Sequence, residues 1–343
     1  MKTHKMEIKK VIKDWMLPIA MVAGASAYLL YNALPEPAHK AGPAMAHIVA
    51  VMQPVLIFAM LFLTFCRIEP KDLKPHRWHW WLLLVQGGIF TLLGLAAFLI
   101  QKSIPEVSMG WIVVIESAML CLICPTATAA AVVTRKLGGD VPGITTYIVL
   151  INLLTSVLVP LMVPMIRPAA GADFWTSFSL ILAKVFPLLI TPCLCAWLVR
   201  YLFPRVHRRI LQYPDLPFYL WSIALTLAIT VTTKSIAHSE MKTGLILAIS
   251  TTSLICCAFQ FYMGRHIGSR YRPRRNVSPM TEEKGKEVRK VTAGQSLGQK
   301  NTVFAIWLAY TFMTPETAIV GGLYSIWHNI YNSWQLYHAN HQQ

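Results

Sequence analysis

Lys300 lies in the polar string "AGQSLGQKN" at 293–301, directly before the apolar run "TVFAIWLAYTFM". That run holds 12 residues, about 18 Å of helix, which is too short to cross a bilayer. The polar string must supply the remaining length. Counted from Val291, Lys300 then sits about 14 Å deep, near mid-bilayer. A lysine there costs at least roughly 2.5–3.5 kcal/mol unless it is paired or in a wet cavity. Its amino group has two uses open to it: it stays charged and binds an anion, or burial lowers its basicity enough for it to release and regain a proton.

The other chemistry-bearing residues within apolar runs are few. Glu116 in "WIVVIESAMLCLI" is the one mid-span glutamate, no aspartate lies in a span, and Lys184 is the only further basic residue away from the span ends. The expected partner of Glu116 is therefore Lys300 or Lys184. In "CPTATAAAVV", Pro125 lacks an amide hydrogen and disfavours helical geometry at Cys124, so a helix should break there, with Thr126 and Thr128 offering hydroxyls. His328, Asn329 and Asn152 are polar groups deep in apolar runs, serving either substrate contact or helix packing. A membrane enzyme is disfavoured: no span carries clustered aspartates, His-Glu-x-x-His is absent, and no triad is evident. No cofactor and no metal site is expected.

The elements that position these residues follow from composition. Of 343 residues 55% are apolar and 13% charged, with a mean hydropathy of +0.50, which places the chain among polytopic membrane proteins. The net charge of +16 is spread over loops and not gathered on a face or tail, which argues against a nucleic-acid partner. Seven cysteines lie in or beside apolar runs without zinc or disulfide spacing, and read as small core hydrophobes.

Apolar runs predict spans at 15–34, 44–66, 79–101, 141–166, 174–202, 216–234, 241–263 and 315–337, with two more at 109–137 and 291–313 that need polar or helix-breaking residues to reach full length. Lys and Arg alternate between the two sides, 24 on one and 5 on the other. This predicts ten spans with both termini cytoplasmic, in a bacterial inner membrane. Residues 1–14 form a basic lead-in that stays attached, 264–290 a basic cytoplasmic loop and 338–343 a tail. That loop reads first as a charged inside-facing segment and second as a contact for anionic lipid headgroups.

Two five-span halves, 15–166 and 174–337, echo one another. Tyr147, Asn152 and Ser156 match Tyr324, Asn329 and Ser333 at an offset of 177. Five spans is an odd number, so the second half runs opposite to the first, and the broken fourth and ninth spans should meet near the midplane. The fold expected is thus an all-α polytopic membrane protein of ten helices in two inverted repeats, with discontinuous crossing helices 4 and 9.

These residues resemble the bile acid:sodium symporter family. "TPETAIVGGLYSIWHNIYNS" is similar to that family's last span, "CPTATAAA" to its Cys-Pro-Gly-Gly-Thr-Ala-Ser-Asn crossing motif, and "SLGQKN" to its Glu-x-Gly-x-Gln-Asn counterpart. The resemblance implies ten spans with the fourth and ninth unwound and crossing. It also implies that Gln86 matches a glutamine of the second sodium site. Against that pattern, Ala130 and Ala131 replace Ser-Asn ligands, Ser296 replaces the glutamate shared by both sites, and Lys300 replaces the glutamine after it. Sodium prefers oxygen ligands and is repelled by an ammonium, so sodium binding is expected to be weak or absent. The Lys300 ammonium is expected to take the ion's place, donating to freed carbonyls and to Gln295, Gln299, Thr126 or Thr128, with Asn301 and Ser296 alongside. The function expected is a symporter-like carrier of a small organic anion by alternating access in the lipid bilayer, with sodium not required. The alternatives are a proton-coupled transporter or a cation/proton antiporter using Lys300 and Glu116, and a receptor or scaffold that has lost transport.

Overall fold

The computed structural model describes residues 2–35, 40, 42–104, 108–213, 215–239, 241–271 and 279–341. In chain order the helices are α1 (Lys2–Asn32), α2 (Gly42–Phe65), α3 (Arg77–Ser103), α4 (Met109–Ile123), α5 (Ala130–Lys136), α6 (Val141–Ile166) and α7 (Phe174–Leu202). They continue as α8 (Pro204–Leu211), α9 (Leu216–Ala237), α10 (Thr243–Arg270), α11 (Pro279–Gly298), α12 (Thr302–Phe312) and α13 (Pro315–His341). No strand occurs among the described residues. Six helices, α2, α3, α6, α7, α9 and α10, are long and apolar enough to cross a membrane, while α4 and α12 are apolar but short.

Several boundaries differ from the sequence expectation. The basic segment 264–290 is mostly helix and not loop: α10 runs through Arg270 and α11 starts at Pro279. Proline is accepted in the first turn because its missing N–H has no helical partner there anyway. The lead-in 1–14 and the first span form one helix, and α13 extends through most of the tail 338–343. Polar residues suffice to prolong a helix once it is nucleated. The short α8 and a 3₁₀ turn at Pro70–Asp72 were not expected.

The helices pack as one body, with α6 lying on α7 as extensively as α1 lies on α9. α1 lies on α9, and α2 lies on α7 and α9; α3, α4, α6, α10, α11, α12 and α13 pack around the two interruptions. The closest pair is α10 and α11, and glycines allow it. A Cβ on Gly264 would come within 2.9 Å of the Gly294 Cα, and one on Gly268 within 2.9 Å of the Ala293 Cβ. This is the small-residue packing that membrane helices use where hydrophobic burial gives no drive to associate. One apolar core joins the helices, with Leu61 and Phe65 of α2, Phe90 of α3, Met119 of α4 and Phe304 of α12 all buried in it.

The outer surface is apolar in the way lipid requires. Leu84, Leu92 and Leu99 are exposed along α3, and Trp80, Trp81, Trp111 and Trp175 are exposed near helix starts. Tryptophan concentrates at that depth because its ring is apolar and its N–H seeks the wet boundary.

Candidate functional site at the helix crossing

α4 ends at Ile123 for the reason its sequence gives. Cys124 takes φ −51°, ψ 130°, an extended setting, and Pro125 has no N–H to give the Cys121 carbonyl. A helix end leaves its last carbonyls without backbone donors, and here each of four is met by a side chain from elsewhere. The Gln260 Nε2 donates to the Cys121 carbonyl at 3.2 Å and the Lys300 Nζ to the Leu122 carbonyl at 3.2 Å. The Thr155 hydroxyl donates to the Ile123 carbonyl at 3.0 Å, and the Gln86 Nε2 to those of Ile123 at 3.3 Å and Cys124 at 3.0 Å. Five hydrogen bonds from four elements thus close one buried helix end.

The second interruption, between Gly298 and Thr302, runs antiparallel to the first. The Ala127 N–H donates to the Gln299 carbonyl at 2.9 Å and the Asn301 N–H to the Pro125 carbonyl at 2.8 Å. The Thr126 hydroxyl donates to the Ser296 carbonyl at 2.5 Å, the Tyr324 hydroxyl to the Gly298 carbonyl at 2.7 Å, and the Cys124 S–H to the Asn301 carbonyl at 2.9 Å. Asn301 caps α12, its Oδ1 accepting from the Phe304 N–H at 3.2 Å. Broken backbone at this depth survives because protein satisfies it.

Lys300 is 1% exposed. Its ammonium lies at the C-terminal end of α4, where aligned peptide dipoles leave partial negative charge. Its ionisable surroundings are thiols, Cys121, Cys124, Cys256 and Cys257, and none of the described ion pairs includes it. The freed-carbonyl part of the expectation matches this geometry. The side-chain partners do not: the Thr126 hydroxyl is committed to Ser296, Gln295 faces α13, and neither Gln299 nor Thr128 bonds to the amine. The side chain reaches toward α4, away from those groups.

The Glu116 expectation is corrected outright. Its Oε1 accepts from the Arg167 Nε at 2.6 Å and its Oε2 from the Thr317 hydroxyl at 2.7 Å, so neither Lys300 nor Lys184 is its partner. Arg167 follows the last residue of α6, outside any predicted span, and its side chain is 20% exposed, so it reaches inward from the helix end. Lys184 instead lies 5.5 Å from the centre of the Phe312 ring, a cation–π contact.

Residues 14–340 match the profile of the SBF-like CPA transporter family. The chain belongs to that family. Family membership together with the apolar helices makes it an integral membrane transporter and not an enzyme. A search of curated proteins finds no match.

For a member of the SBF-like CPA transporter family, the remaining candidate residues divide clearly. The Gln295 Nε2 donates to the Asn332 Oδ1 at 2.9 Å and the Gln335 Oε1 at 2.8 Å, tying α11 to α13. The Gln295 Oε1, Ser296 Oγ, Gln299 Oε1, His328 Nδ1 and Asn332 Nδ2 are buried without a protein partner. The amide of Asn329 donates to the Ser325 carbonyl one turn back at 2.6 Å, a packing role. Asn152 is buried with neither side-chain atom partnered. Gln86 accepts from the Tyr147 hydroxyl at 2.8 Å, so its oxygen already holds a proton donor. Among the described residues no cluster of His, Cys, Asp or Glu could hold a metal ion.

Sequence reasoning did not single out Gln260, Thr155, Arg167, Thr317, Asn332 or Gln335. Gln260 was findable as the one amide in "LICCAFQFYM". Paired with Tyr324 at 3.1 Å, it is the counterpart of Gln86 paired with Tyr147. Each half of the chain thus brings a Gln–Tyr pair to the crossing.

Proposed function

We propose that the chain is a secondary transporter of small organic anions working by alternating access, in which Lys300 stands where related carriers bind sodium. The observation that carries this reading is the ammonium on the Leu122 carbonyl, 3.2 Å away, at a helix end whose other free carbonyls are also held by side chains. A cation built into the chain supplies the charge that two interrupted helices need, without an ion gradient. The Tyr147 hydroxyl on Gln86 supports it further, since it competes for the amide oxygen a sodium ion would use. The departures at Ala130, Ala131 and Ser296 remove three side-chain ligands that the resemblance calls for.

Ten spans in two inverted repeats, with both termini cytoplasmic in a bacterial inner membrane, fit this reading. The charge alternation and the Gln86–Tyr147 and Gln260–Tyr324 pairs support it. The cargo's polar groups would be met on the α11–α13 side, where Gln295, Ser296, Gln299, His328 and Asn332 keep buried atoms unpartnered. A proton-coupled cycle on Lys300 is the second reading, favoured by the absence of that residue from the described ion pairs. An antiporter pairing Lys300 with Glu116 has lost its geometric basis, because Glu116 is held by Arg167.

The deciding experiment is organic-anion uptake or counterflow in proteoliposomes, with sodium exchanged for choline and the pH gradient clamped. Unchanged transport in choline is the expected result. Strict dependence on external Na⁺ overturns the built-in cation.

A further inference from the structure

Between α10 and α13, with Lys290 of α11 at one end, lies a groove of about 780 Å³. Its walls are apolar and aromatic, including Leu254, Phe261, Ile330 and Trp334. It opens sideways: Tyr262, Ile330 and Trp334 are 67%, 58% and 55% exposed on a surface that faces hydrocarbon in a membrane protein. From Leu254 to Ser269 it follows α10 for about 22 Å, close to the ~20–22 Å of one leaflet with its headgroup layer. The end away from the charges is apolar, at Leu254 and Trp327. The other end carries Arg265, His266 and Lys290.

The charge at that end is positive in sum. Glu287 accepts from Arg265 at 3.0 Å and from Lys290 at 2.9 Å. Burial pushes its carboxyl up, but those two cations outweigh it and hold the group below its ordinary range, so two cations face one carboxylate. The pairs also fix Arg265 and Lys290 at the mouth, each with about a third of its side chain exposed.

We infer that this groove holds an anionic phospholipid of the cytoplasmic leaflet. Its phosphate lies at Arg265 and Lys290, and one acyl chain lies along Phe261 and Ile330 toward mid-bilayer. The length, the lateral opening and the charge at one end only fit such a molecule. A water-soluble anion has no use for the aromatic stem, and a neutral lipid none for the cations. This site is separate from the crossing and does not depend on what the chain transports.

The test is retention of spin-labelled phosphatidylglycerol against spin-labelled phosphatidylcholine by the full chain in phosphatidylcholine nanodiscs. The wild type is expected to immobilise the anionic lipid preferentially. The double variant Arg265→Gln/Lys290→Gln should weaken that preference by roughly five- to thirty-fold, from about 1 kcal/mol per cation near the surface. A second variant, Ala258→Phe, fills the groove from its exposed side and should displace the lipid without touching the charges. Equal retention of both lipids by the wild type, or unchanged preference in both variants, overturns the assignment. So does a second copy of the chain covering the groove in size-exclusion light scattering.

Discussion

Lys300 and Glu116 are both buried charges, and they are stabilised differently. Glu116 has a full counter-charge in Arg167 and a hydroxyl donor in Thr317, so removing one partner strands a buried carboxylate. Arg167→Met is expected to cost roughly 2–4 kcal/mol, at the lower end because the guanidinium keeps some contact with water. It should read as a lower Tm in detergent, and Glu116→Met added to it should recover most of the loss. A Tm unmoved by Arg167→Met would mean that the pair is not formed in the membrane. Lys300 has only a carbonyl and a helix end, and on the proposed reading its worth lies in the transport cycle. Lys300→Gln should reduce anion affinity while leaving the pH profile of uptake unchanged. A flattened pH profile would instead make the amine the proton carrier.

At the level of elements, the decisive feature is that side chains from other elements close the end of α4. Gln86 serves two of its carbonyls and Gln260 one. Each carbonyl left unmet costs about 1–3 kcal/mol, so Gln86→Leu should destabilise more than Gln260→Leu, measured by thermal melts of the purified protein. Equal losses would show that Thr155 alone suffices for the Ile123 carbonyl. The α10–α11 contact is the other dependence. Gly264→Leu forces a side chain against the Gly294 backbone and should cost about 1–3 kcal/mol by overpacking. It would disturb α11 and hence the position of Lys300, so a drop in uptake should accompany the drop in Tm.

At the level of the whole molecule, the helices surround one pair of interruptions, an arrangement that would serve the proposed alternating access if one part of the bundle moved against another around the crossing. A ten-span chain has both ends on one side of the membrane. Single cysteines placed near each terminus, in a background lacking the native seven, should therefore react with a membrane-impermeant reagent from the cytoplasmic face only. Labelling of the two ends from opposite faces would require an odd number of spans and would remove the inverted repeat.

The sequence by itself determined the helical class, the site of each interruption and the presence of a lysine at the second one. Proline geometry, run length and the cost of an isolated charge are local properties, legible at Pro125 and Lys300. The bounds of α6 and α7 equal the predicted spans 141–166 and 174–202 for the same reason. Tertiary structure decided what each buried group touches. Glu116 has two lysines within spans as candidates on paper, yet it binds an arginine outside them, because partners are chosen by distance in space and helix ends reach inward. Segment 264–290, expected as a loop, is mostly helix, because polar residues that cannot be buried can still continue a helix beyond the bilayer. Three members of the Gln–Tyr pairs that seal the crossing lie on the apolar helices α3, α6 and α10, where periodicity carries little sign of facing, so only packing could bring Gln260 to the Cys121 carbonyl.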